Sequence, residues 1–253
     1  MQTSVLRPRF LDFEDSGGVL PAHMLGIWGT GKARAGKGKF TYDWYVGNGP
    51  KISGATTAPS PANYQTGGLN PNIAGDDNHS AMTGLNLGYE FSGSLDGLRL
   101  AVHWLHGDVS AYSGATTIPA TPLNTTGLNM AGGSLVYLSN DWEFMSEYYG
   151  FNDKDKSAGL KHKSRAGYVQ IGRSFNDLTP FIRLERTILN QQDNYFSMQA
   201  NGQSYARQIL GLRYNLSQKA ALKLELGNSS FKEELGRTAL SYRSLNLQYA
   251  IGF

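Results

Sequence analysis

The sequence contains no cysteine, which excludes a disulfide framework, a thiolate metal site and a cysteine nucleophile. It has no apolar run approaching the roughly 18 residues that a membrane-spanning helix needs, so a helical membrane protein is excluded as well. An excess of one charge is also missing. The 23 basic and 20 acidic residues leave a net charge of +3 on 253 residues, and they are interspersed, without the clustered basic stripe of a nucleic-acid surface. No nucleic-acid partner is expected. Residues 1 to 20 include acids and lack a continuous apolar core, so they are no secretory signal peptide. The expectation is a leader already removed, or a chain that starts late and lacks its first strands.

What is present points to strands. Thirty-one glycines and an aromatic content of 11%, led by 14 tyrosines, favour strands and turns over helices. At the C-terminus Leu245, Leu247, Tyr249, Ile251 and Phe253 alternate with Asn246, Gln248, Ala250 and Gly252, a strict period of two. The same alternation sets Ala220, Leu222, Leu224 and Leu226 against Lys223 and Glu225, and Leu210, Leu212 and Tyr214 against Arg207 and Arg213. It sets Ile182 and Leu184 against Arg183 and Glu185, and Trp142, Phe144 and Tyr148 against Glu143 and Glu147. Upstream, Leu98, Leu100, Val102 and Trp104 oppose Arg99 and His103; Leu85, Leu87 and Tyr89 oppose Asn86 and Glu90; Phe40, Tyr42, Trp44 and Val46 oppose Lys39 and Asp43. Residues 163 to 175, where Tyr168 falls out of phase with Val169 and Ile171, and the Gly-rich residues 127 to 139 are assigned to strands on context.

The links alternate in length. Short ones lie near residues 32 to 37, 92 to 96, 139 to 141, 175 to 178 and 216 to 218; long ones span 49 to 78, 108 to 126, 152 to 162, 190 to 203 and 231 to 239. Consecutive hairpins then put every long loop at one end of the sheet and every tight turn at the other, as in outer-membrane barrels. A soluble barrel or sandwich is the competing reading, since it also alternates. Against it stand strands of about ten residues or more, where soluble strands average about five or six, and aromatics such as Trp44, Trp104, Trp142 and Tyr148 near the ends of the apolar stripes, where interface girdles belong.

The expected fold is therefore all-β: one domain over residues 1 to 253, an antiparallel transmembrane β-barrel in the bacterial outer membrane of a Gram-negative cell. Counting residues 1 to 9 as a weak first strand gives about 12 strands, an even number; with about four more upstream, the parent would be a 16-stranded porin. Charged side chains cost about 2 to 4 kcal/mol each at the bilayer midplane, so the charged face is assigned to the lumen. By parity the pore-lining set is Lys39, Asp43, Glu90, Arg99, His103, Glu143, Glu147, Arg183, Glu185, Arg207, Arg213, Lys223 and Glu225. The two signs balance, which fits either a weakly selective polar channel or a salt-bridged, filled interior; cross-strand pairing that only stabilises the wall carries equal weight. Arg186 shares the apolar parity near a long loop and is placed at the rim, snorkelling to the headgroup or lipopolysaccharide region.

The closing run from Ser244 to Phe253 resembles the terminal strand of bacterial outer-membrane proteins, with Tyr249, Ile251 and Phe253 as the assembly signal. The resemblance implies the barrel-assembly machinery as a partner. The run from Arg7-Pro8 through Phe13-Glu14-Asp15-Ser16-Gly17-Gly18-Val19-Leu20-Pro21-Ala22-His23-Met24-Leu25-Gly26 is similar to a segment of porin-like proteins distantly related to phosphate-selective porins, where it follows several earlier strands. Together the two runs cover about a tenth of the chain. They imply passive diffusion of small hydrophilic solutes or ions, contact with outer-membrane lipid and lipopolysaccharide, and a class that admits a homotrimer. No cofactor is implied. Residues 12 to 20 form a loop placed to fold inward and narrow the pore, with an ordinary exposed loop as the alternative.

Other motifs carry less. Asp76, Asp77 and His79 end the longest loop as a candidate divalent-ion site. Gly31 to Gly38 nearly matches a phosphate-binding loop but lacks its Ser or Thr and a following helix. His103, His106, Asp108 and Ser110 are the only candidates for a rim hydrolase, with no nucleophile elbow in support. The chain is expected not to be an enzyme; an outer-membrane hydrolase and a structural or adhesive barrel with a filled lumen are the alternatives.

Overall fold

The period-two segments form the long strands of one antiparallel sheet. The computed structural model describes residues 3–13, 18–21, 23–55, 67–70, 78–113, 121–234 and 237–252. The strands are β1 (Leu25–Ala35), β2 (Gly38–Asn48), the short β3 (Lys51–Ser53) and β4 (Gly68–Asn70), β5 (Ala81–Glu90), β6 (Leu98–Tyr112), β7 (Asn124–Ser139), β8 (Trp142–Asp155), β9 (Lys161–Arg173), β10 (Leu178–Ile188), β11 (Tyr205–Asn215), β12 (Ala220–Phe231) and β13 (Leu240–Ile251). A one-turn helix, α1 (Asn194–Ser197), lies between β10 and β11. The main path runs β1-β2-β5-β6-β7-β8-β9-β10-β11-β12-β13, each long strand beside the next long strand in the chain; β3 pairs with β4 and, in parallel, with the end of β6. Among the described residues β1 pairs only with β2 and β13 only with β12, so hydrogen bonding does not close the sheet.

Tight turns gather at one end. Gly36, at φ 58°, joins β1 to β2. Asn140 and Asp141, at φ 52° and 65°, make the two-residue turn between β7 and β8, a left-handed pair whose twist matches that of the flanking strands and which Asn and Asp tolerate best after Gly. The longer connections share the opposite end.

The two faces differ in kind. One face, here called open, exposes apolar side chains on strand after strand: Val102 is 59% exposed, Leu210 59%, Leu245 67% and Leu247 68%. The other, covered face buries charge, with Arg183 at 1%, Glu185 at 3% and Glu225 at 1%. An apolar cluster also sits on the covered face at the long-connection end, where Ile52, Met82, Leu105, Val109, Leu128, Phe151, Tyr195 and Phe196 pack with Phe10.

Four expectations are corrected. Residues 3 to 9 form no strand; they cross the covered face and end in a 3-10 turn at Arg9–Leu11. Their backbone groups find side chains rather than a neighbouring strand, so the composition that looked like a weak strand has another use. The 12-strand count becomes eleven long and two short strands among the described residues. Residues 152 to 162 are mostly strand: β8 and β9 pair as far as Lys154↔Lys161, because polar side chains fit a strand whose end projects past an apolar band. Residues 49 to 78 contain β3 and β4. The ambiguity at Tyr168 also resolves, since its hydroxyl reaches Glu147 on the covered face while Val169 and Ile171 stay exposed.

Candidate functional site

Alternation and register place every residue assigned to the pore on the covered face: each shares parity with the buried positions of its strand or, for Lys39 and Asp43 on β2, lies opposite such a position on β5. Along β10 to β12 these side chains form one network. Arg183 Nε lies 2.9 Å from Glu185 Oε1, and Arg207 Nη1 lies 3.8 Å from the same oxygen. Buried ion pairs of this kind barely offset their desolvation unless further hydrogen bonds satisfy them.

Those further bonds come from the N-terminal segment. The Val5 and Leu6 N–H groups donate to the two carboxylate oxygens of Glu225, at 2.6 and 3.4 Å, and the Arg9 N–H donates to Glu185 Oε2 at 2.9 Å. In return Arg183 Nη1 donates to the Leu6 carbonyl at 2.8 Å and Lys223 Nζ to the Ser4 carbonyl at 3.2 Å. Thr3 donates its hydroxyl proton to Glu143, which also accepts from Gln170 at 2.8 Å. Carboxylates thus meet N–H groups and cations meet carbonyls along an irregular chain without a ladder partner, which is how such backbone is satisfied away from water. Hydrogen bonds to charged groups contribute about 1.5 to 3 kcal/mol each.

Phe10 anchors the segment. It is fully buried, with its ring centroid 5.8 Å from Tyr149 and 6.4 Å from Tyr168, and its N–H donates to the Tyr205 hydroxyl at 3.0 Å. The Tyr149 and Tyr168 hydroxyls converge on Glu147 at 2.7 and 3.0 Å. Above them the connection around α1 folds over the same face. The Asp193 side chain caps α1 by accepting from the Tyr195 N–H, the Tyr195 hydroxyl donates to the Val19 carbonyl at 2.7 Å, and Arg237 donates to the Ser197 carbonyl at 3.0 Å beyond the helix end. Burial, with the nearby Asp155 charge, raises the Asp193 carboxyl above the ordinary range.

Across the sheet the covered face is more accessible. Lys32, Arg34, Lys39 and Arg99 are exposed, and the register sets Arg34, Lys39, Glu90 and Arg99 side by side on β1, β2, β5 and β6. Arg34, Lys37, Lys39, Glu90 and Asp96 border a cleft of about 350 Å³ at the tight-turn end. Asp43 accepts from Asn86 at 2.9 Å, and His103 bonds Ser134 Oγ at 3.1 Å. The face is therefore a polar wall, sealed along β8 to β12 and open along β1, β2 and β5.

The hydrolase candidates are not brought together. His103 is on the covered face, while His106 stacks on Trp104 on the open face, Asp108 pairs with Lys156 at 3.0 Å and Ser110 bonds Thr125 at 2.9 Å. Gly36 to Gly38 form a strand turn with no helix after it. Asp76 and Asp77 lie outside the described residues, as do Glu14 to Gly17 and Phe253; Tyr249 and Ile251 are exposed on the open face. Among the described residues no group of three or more His, Asp or Glu is placed to hold a metal ion. Val19 is buried in the apolar cluster, and residues 3 to 11 lie against the covered face, which the periodicity of the chain does not indicate. Two apolar pairs, Val5-Leu6 and Phe10-Leu11, are the signal that this segment docks on something. Asp193 ahead of Tyr195 and Phe196, a capping residue before an apolar pair, was the corresponding signal for α1.

No family model matches the chain, and no curated protein matches it.

Proposed function

We propose that the chain forms the wall of a bacterial outer-membrane β-barrel of the porin type and conducts small hydrophilic solutes or ions passively along its covered face. The observation that carries this reading is the reversed side-chain distribution. The long strands turn apolar residues to the open face while Arg183, Glu185, Lys223 and Glu225 are buried on the other, the arrangement that hydrocarbon on one side and water or protein on the other would select. Exposed apolar area on this scale marks a surface with a partner, and a bilayer covers all strands at once. The path would run past Lys32, Arg34, Lys39, Asp43, Glu90, Arg99 and His103, with residues 3 to 11 narrowing it from the opposite wall. The mixture of signs supports weak charge selectivity.

A second reading has its own support. Residues 3 to 11 and the α1 connection fill the covered face over β8 to β12, as they would in a structural barrel with a closed interior. Single-channel recording of the refolded chain in a planar bilayer separates the two. Ohmic steps that grow when residues 1 to 11 are deleted would support a pore with an internal constriction; insertion without conductance in either form would leave the filled barrel and sink the channel.

A further inference from the structure

The long-connection ends of β8, β9 and β10 carry an unbalanced charge. On β9 the open-face positions read Lys161, Lys163, Arg165, Gly167, Val169 and Ile171. The register places Lys154 beside Lys161, Gly150 and Ile188 beside Arg165, and Arg186 beside Gly167. All five cations are exposed. Open-face positions of β8, β9 and β10 contain no carboxylate at all: their acids, Glu143, Glu147, Asp153, Asp155 and Glu185, have the opposite parity. The nearest open-face acid, Asp108 on β6, is already paired with Lys156. On the covered face, by contrast, acids are interspersed with the cations: Arg183 and Arg207 stand beside Glu185, and Lys39 and Arg99 flank Glu90.

Solvation alone does not require this segregation, since a strand end in water is served equally by mixed signs, which repel less. Five like charges within two strand spacings, about 5 Å each, and about six residues of strand length, roughly 20 Å, fit an anionic partner. Their height identifies it. Directly toward the tight turns, the same strands present Tyr148, then Val169 and Leu184, then Ile171 and Ile182, all exposed. An acyl chain lying on that apolar stripe brings its head group to the cations. Room exists there too: a Cβ at Gly150, next to Arg165, would meet nothing closer than the Ala131 carbonyl at 4.0 Å.

We infer that Lys154, Lys161, Lys163, Arg165 and Arg186 form a binding site for the phosphorylated head group of an anionic lipid in the leaflet on the long-connection side, with its acyl chains on Val169, Ile171, Ile182 and Leu184. The inference rests on the membrane reading above. Arg165 and Arg186 are suited to grip phosphate bidentately and the lysines to supply point charges.

The test uses the full refolded chain and a Lys163→Gln/Arg165→Gln/Arg186→Gln variant. Insertion into neutral phosphatidylcholine vesicles is scored first by protease protection. Retention of added bisphosphorylated lipid A is then compared by native mass spectrometry, with its water-soluble deacylated disaccharide as the second probe. Each cation near an anionic surface contributes about fivefold, so the variant should insert normally yet lose lipid retention by on the order of a hundredfold at low ionic strength, and less in high salt. Equal retention by parent and variant would overturn the site. Equal affinity for the lipid and the soluble disaccharide would overturn the lipid assignment in favour of a polyanion from solution. Failure of the parent to insert into neutral vesicles would overturn the membrane reading itself, a distinguishable result.

Discussion

Replacing Phe10 by Ala should release the N-terminal segment while sparing the sheet. The ring is fully buried between Tyr149 and Tyr168, and it belongs to a segment that otherwise holds on by hydrogen bonds to Glu185, Glu225, Arg183 and Lys223. Truncating a buried Phe costs about 3 to 5 kcal/mol. Because no strand ladder includes residues 3 to 11, the whole cost falls on docking of the segment and not on the β10 to β12 pairing. At about 1.4 kcal/mol per factor of ten, the docked population relative to the free one should drop by roughly two to three and a half orders of magnitude. Amide hydrogen exchange measures this directly, since local opening sets the protection of a locally held segment. The Val5, Leu6, Arg9 and Phe10 amides should lose protection by that factor, while the ladder amides of Leu210 and Leu224 stay within threefold of the parent. Unchanged protection at Val5 and Leu6, or an equal loss across β11 and β12, would refute the view that Phe10 anchors a separately docked segment. In the same variant the conductance of a channel should rise.

Glu225→Gln leaves an acceptor for the Val5 N–H but removes the charge, so protection at Val5 and Leu6 should fall by about 1 to 2 kcal/mol, read in the same exchange experiment; a larger effect at Arg9, which bonds Glu185, would contradict the assignment. Leu224→Arg puts a cation on the open face and should destabilise the vesicle-inserted protein by about 2 to 4 kcal/mol in urea unfolding, whereas a change under about 0.5 kcal/mol would mean that this position never meets hydrocarbon. Asp193 has its folded carboxyl raised by burial, so the folded chain keeps a proton that the unfolded chain gives up near pH 3.9. Stability from that site is therefore complete below the ordinary carboxylate range and is lost as pH rises through the folded value. The Tyr195 amide should be better protected at acid than at alkaline pH, and Asp193→Asn should flatten the dependence; a steeper profile in the variant would rule this out.

The charged wall illustrates why neither face can be exchanged for the other. A single-residue shift of register on β12 would turn Lys223 and Glu225 outward and Leu224 inward, stranding Arg183 and Glu185 without the segment that satisfies them. Buried ion pairs are weak sources of stability and strong sources of specificity in some proteins. Here the Glu185 and Glu225 carboxylates fix which residues of the N-terminal segment dock, since each accepts a particular backbone N–H.

The sequence by itself determined the class of the fold, the long strands and the two faces. Alternation at Leu222, Leu224 and Leu226 against Lys223 and Glu225 is a local property, and a strand converts it into two faces without reference to anything distant. Turn chemistry at Asn140-Asp141 is equally local and set the tight end. What only the tertiary structure decided is what lies against those faces. Residues 3 to 11 carry no periodic signal because their partners, Glu185 and Glu225, stand 176 and 220 residues away from Arg9 and Val5, and backbone-to-side-chain bonds leave no pattern in the donor's own sequence. The outward cations were hidden for a related reason: Lys154 and Lys161 fall in a stretch that reads as loop, and although Lys163 and Arg165 lie in a segment assigned to a strand on context, only the pairing of β9 with β8 and β10 makes them one surface.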